Sequence, residues 1–146
     1  MAAGSKESLL RTMDAIITEL EQEGLINKYF RLSSQLKEVN GPYFFANLLL
    51  TFISDTHNAL MEIAKLLDEE FVNFDALDQI AIKLKGSASC IGLVCISRAC
   101  ANLRCGIDVK SHIGCIQAKN EIQHEFGRIH ARLDAITQLE QQLILN

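Results

Sequence analysis

Residues 74–92 read FDALDQIAIKLKGSASCIG, and this stretch decides both the fold class and the candidate site. Phe74, Leu77, Ile80, Ala81, Leu84, Ala88 and Ile91 fall on one stripe when each residue turns about 100°. That predicts an amphipathic helix over about 74–90 whose stripe is the buried face. Asn73 or Asp75 supplies the N-cap, and Gly92 separates this helix from the next. The three-to-four spacing recurs on both sides. It predicts helices over about 7–23, 25–37, 43–68, 94–106 and 110–144, with breaks at Gly24, Asn40-Gly41-Pro42, Gly92 and Gly106.

Composition supports an all-helical domain. The chain has 146 residues, 49% apolar and 22% charged, enough for one domain with its own core. Eight glycines and one proline are too few for the turns of a β-sandwich or barrel. Six helices with short joints predict an all-α fold: an antiparallel four-helix bundle over 38–146, capped by two N-terminal helices over 1–37. A formal charge of −4 argues against nucleic acid as a partner, because phosphate neutralisation needs a basic excess. The most apolar stretch, Pro42 to Ile53, is interrupted by Asn47 and Thr51. It is far below the roughly 20 residues of a membrane span. The opening residues MAAGSKESLLRTMD show no basic cluster followed by an apolar block, so no secretory leader is expected.

The helix over 74–90 carries a residue that breaks its own pattern. Ile82 lies about 160° from Leu84, on the outer face. Asp78, Lys85, Gly86 and Ser89 are its neighbours there, and Lys83 and Lys85 flank it on either side. Gly86 inside a helix costs about 1 kcal/mol relative to alanine. It also lets another molecule approach the backbone. An apolar knob between two lysines, above a glycine gap, is a contact surface for an acidic, concave partner. Read plainly, it is a solvated lysine face with a tolerated glycine.

Leu84-Lys85-Gly86-Ser87-Ala88-Ser89-Cys90-Ile91-Gly92 resembles the His-Gln-Leu-Lys-Gly-Ser-Ser-Ser-Ser-Ile-Gly region of plant histidine-containing phosphotransfer (HPt) proteins. The resemblance extends to Glu23-Gly24-Leu25-Ile26, to residues 47–55, to Ala99-Cys100 and to residues 139–142. In that family the phosphorylated histidine stands three residues before the lysine, where this chain has Ile82. The glutamine after it is Lys83 here, and a second histidine is Ile80. Lys85, Gly86 and Ser87 match. The resemblance is therefore to the pseudo-HPt branch, which lacks the acceptor. It implies a monomer that docks on receiver domains of hybrid histidine kinases and response regulators through Asp78, Ile82, Lys83, Lys85, Gly86 and Ser89. Such a chain needs no cofactor. It would dampen the cytokinin phosphorelay by competition, in the cytoplasm and nucleus.

The chemistry of the side chains agrees. A phosphorelay acceptor needs a nucleophilic nitrogen, and isoleucine has no lone pair. Lys85, which in the family helps neutralise phosphoryl oxygens, keeps only a docking role beside it. Two alternatives remain: phosphotransfer through His57, His112, His124 or His130, or a helical scaffold with no receiver partner. None of the four histidines has Lys and Gly at plus three and plus four. Glu121-Ile-Gln-His124 is a single copy of a half-motif that di-iron bundles need twice, so no metal is expected. Cys90, Cys95, Cys100 and Cys105 step by five, about 140° per step, and do not share a helix face. With Cys115 they read as reduced, mostly buried thiols. Asp68-Glu69-Glu70 reads as a solvated helix end.

Overall fold

The computed structural model describes residues 5–145. The N-terminal Met1 to Gly4, part of the stretch read for a leader, and Asn146 lie outside it. Seven helical elements follow in order: α1 Lys6–Gln22, α2 Lys28–Gln35, α3 Lys37–Asn40, α4 Phe44–Leu67, α5 Phe74–Ile91, α6 Val94–Asp108 and α7 His112–Leu145. The fold is all-α. α4, α5, α6 and α7 form the antiparallel bundle, each packed on the next and α4 closing the ring against α7. Leu49, Phe52, Ile63, Leu77, Leu84, Ile96, Leu103, Ile122 and Ile129 meet inside it.

α7, at about 1.5 Å per residue, is about 50 Å long and runs past the bundle. Its C-terminal half receives α1, which buries Leu9, Met13, Ile17 and Leu20. Arg132 of α7 pairs with Glu19 and Glu23, and Lys37 Nζ lies 2.7 Å from Glu140. α2 leans on α5. Arg31 of α2 reaches back to Asp14, Thr18 and Glu21 of α1.

Three boundaries differ from the sequence reading. The helix expected over 25–37 begins at Lys28, because Leu25 and Ile26 are buried as a connector. Asn27 Oδ1 then accepts from Tyr29 N at 2.9 Å as the N-cap. Its end is a separate single turn, α3, closed at Gly41 with φ +100°. Gly106 does not stop α6. It is buried within the helix, where an added Cβ would meet Cys115 N of α7 at 3.1 Å, so it permits close helix contact. The break falls at Lys110, whose φ is +52°.

Candidate functional site

α5 is fixed at both ends. Asn73 Oδ1 accepts from Ala76 N at 3.1 Å. At the other end Gly92 takes the left-handed conformation, φ +88°, and Leu93 N donates to Ala88 O at 2.9 Å, a Schellman closure. Gly92 also touches the start of α2, where Asn27 N donates to Gly92 O at 2.9 Å. The outer face of α5 is therefore held in register with α2, α4 and α6.

Of the predicted inner stripe, Leu77, Ala81, Leu84, Ala88 and Ile91 are buried, while Phe74 and Ile80 are half-buried. Ile82 is 49% exposed. The six outer residues divide into two sets. Ile82, Lys83 and Gly86 face the α4 side, where they line an open groove of about 430 Å³ with Leu48, Thr51 and Asp55. Asp78 and Ser89 face α6. Arg104 Nε donates to Asp78 Oδ1 at 3.0 Å, and the Ser89 and Ser97 hydroxyls lie 2.7 Å apart. Those two residues have internal partners that order the surface as well as any docking role. Lys85 is half-buried on the α6 flank, near the buried Cys100.

The α4 wall is the part that sequence reasoning missed. Leu48, Thr51 and Asp55 recur at three and four; the sequence shows Thr51 as a polar interruption and Asp55 as the end of the 47–55 resemblance, neither as a wall of the site. A second hollow continues along the same seam, lined by Asp55, Asn58, Glu62, Ile80, Lys83 and Ser87. Lys83 and Asp55 border both hollows. Among the described residues, neither Lys83 nor Lys85 forms an ion pair. Their charge is available to a partner.

Gly86 has helical backbone, and a Cβ built on it meets nothing within 4 Å. Neither a turn nor internal packing accounts for the glycine. The histidines lie elsewhere. His112 Nε2 donates to Leu67 O at 2.7 Å, so that ring is committed to joining α7 to α4. His130 stacks on Phe126 at 4.9 Å and faces Asp134. His57 and His124 are exposed on α4 and α7. All five cysteines are free. Cys90 and Cys105 are exposed, contrary to a mostly buried set only at those two positions. Burial pushes the Cys95 thiol up to about 11 and the Cys100 thiol up to about 12, so both stay protonated. No group of three or more potential metal ligands occurs among the described residues. No helix there is long and apolar enough to cross a membrane.

The chain matches the Hpt domain family over residues 47–143, which span α4 to α7. It is 29% identical over 132 residues to histidine-containing phosphotransfer protein 2 of Oryza sativa subsp. japonica, covering 90% of this chain and 89% of that one. It is 24% identical to pseudo histidine-containing phosphotransfer protein 6 of Arabidopsis thaliana, over 95% and 91% of the two chains. The crystal structure of a maize histidine-containing phosphotransfer protein superposes with a TM-score of 0.86 at 30% identity, covering 92% of this chain and 98% of that one. Relatives carry both kinds of name. With the four bundle helices matched as a unit and the fold shared along almost its whole length, this chain belongs to the Hpt domain family.

Proposed function

We propose that this protein is a pseudo-phosphotransfer protein: it docks on receiver domains of hybrid histidine kinases and response regulators but accepts no phosphoryl group. Competing with active phosphotransfer proteins, it acts as a negative regulator of cytokinin signalling, in both cytoplasm and nucleus. The observation that carries this reading is Ile82. It stands half-exposed where the resemblance puts the acceptor, three residues before Lys85 and four before Gly86. Isoleucine has no nucleophilic atom, so no phosphoramidate can form there. An apolar knob beside unpaired Lys83 and Lys85 still fits an acidic receiver pocket. The other histidines supply no substitute, since none sits beside the Lys85-Gly86 pair.

The test is a binding titration of the chain against a panel of receiver domains, with an active phosphotransfer protein as competitor. Micromolar binding at a shared site is expected, and Ile82→Asp should weaken it about tenfold by setting like charge against the acidic pocket. Acid-labile label on the wild-type chain, or binding to no receiver, would overturn the proposal. A helical scaffold would then be the better reading in the second case.

Gly86 gives a sharper expectation because stability and docking should move in opposite directions. Gly86→Ala adds a methyl group to open space in a helix interior. It should stabilise the isolated chain by about 0.5–1 kcal/mol. The same methyl group should weaken receiver binding, because it occupies the gap a partner backbone would enter. Thermal melts and the receiver titration measure the two effects. Stabilisation with unchanged binding would remove Gly86 from the docking face.

A further inference from the structure

A second surface lies at the end of the bundle where α4 and α6 finish and α5 and α7 begin. Phe71 is 83% exposed, Val109 75% and Ile113 70%. Among the described residues, only Val39 and Leu145 match them among exposed large apolar side chains, so three of the five most exposed are gathered at one end. The α4–α5 connection bearing Phe71 and the α6–α7 connection bearing Val109 are tied together by the hydrogen bond from His112 to Leu67 O. Ile116 extends the apolar surface one turn along α7 from Ile113. Large apolar side chains left this exposed and gathered at one end of a bundle mark an interaction surface.

The rim is acidic. Asp68, Glu69, Glu70, Asp75 and Asp108 surround this end, and none of them has an ion-pair partner among the described residues. Lys65, Arg104 and Lys110 are the basic residues nearest them in the chain, and Arg104, which pairs with Asp78, also attracts Asp108. Asp68 to Glu70 follow the C-terminus of α4, and Asp108 lies in the last turn of α6. Carboxylates at helix C-termini oppose the helix dipole, so helix stability does not explain their placement. A two-fold dimer through this end would set the same acids against one another, which disfavours a second copy. Anionic lipid is disfavoured by the same charge.

We infer that this end of the bundle is a second docking surface, and that its occupant is a cationic amphipathic segment of a partner protein, with apolar residues on Phe71, Val109 and Ile113 and basic residues on the acidic rim. Ile82 lies eight residues into α5, about 12 Å along its axis from Phe74. The inference does not depend on receiver docking.

The probe is a labelled leucine–lysine amphipathic helical peptide, with its leucine–glutamate counterpart as control, titrated against the full chain. The lysine peptide should bind in the micromolar range and lose affinity with added salt, and the glutamate peptide should not bind. Phe71→Ser combined with Ile113→Ser should weaken binding at least about tenfold. Both residues are exposed, so the thermal melt and the receiver titration should not change. The inference is overturned by equal binding to the wild type and the double variant, by equal binding of the two peptides, or by no binding. Concentration-dependent dimerisation abolished by the double variant would also overturn it, in favour of a second copy.

Discussion

Gly92→Ala should lower stability by about 3–5 kcal/mol, a loss of roughly 10 °C in melting temperature for a domain of this size. Two costs add. Alanine at φ +88° pays the left-handed penalty of about 1–2 kcal/mol. Its Cβ would then stand 2.5 Å from Asn27 Oδ1 and 2.6 Å from Phe30 N. One of those atoms is backbone, so α2 must move as a body. That movement breaks the Asn27 N–Gly92 O hydrogen bond and disturbs the Asn27 cap. Gly24→Ala separates the two costs, because Gly24 also has positive φ, +73°, but its Cβ would meet nothing within 4 Å. It should lose only the backbone penalty. Equal melts for the two variants would show that α2 is not wedged against the end of α5.

Lys37→Ala should cost about 2–3 kcal/mol at neutral pH. Glu140 is a charged residue only 1% exposed, and Lys37 Nζ reaches both of its carboxylate oxygens, at 2.7 and 3.0 Å. Removing one partner of a buried pair leaves an uncompensated charge, typically worth 3–5 kcal/mol. The lysine side chain is 30% exposed, so water can enter after the substitution and reduce the loss. The double variant Lys37→Met/Glu140→Leu is expected to recover to within about 1 kcal/mol of wild type, since apolar groups of similar volume replace such pairs at little cost. Chemical denaturation of the three proteins checks this. A single variant as stable as wild type would mean that Glu140 finds another partner.

The parts of the molecule that could be read from sequence are those set by one helix at a time. Leu77, Ala81, Leu84 and Ile91 define a face by their spacing alone, and Ile82 stands out against it without knowledge of any neighbour. The groove wall could not be read in this way. Leu48, Thr51 and Asp55 lie beside Ile82 only because α4 packs along α5, and a helical wheel says nothing about which element comes alongside. The same limit hid the α6 partners of Asp78 and Ser89, Arg104 and Ser97. Gly106 was misread because glycine has two uses in helical proteins. It ends helices, and it lets them approach closely. Only the position of Cys115 tells which use applies.

The long reach of α7 has a consequence for synthesis. The pairing of Arg132 with Glu19 spans 113 residues of chain, and that of Lys37 with Glu140 spans 103. At 5–20 residues per second, α1 leaves the ribosome on the order of ten seconds before the half of α7 that covers it. Through that interval Leu9, Met13, Ile17 and Leu20 have no permanent cover, and the nascent chain presents them to whatever holds unfolded helices in the cell.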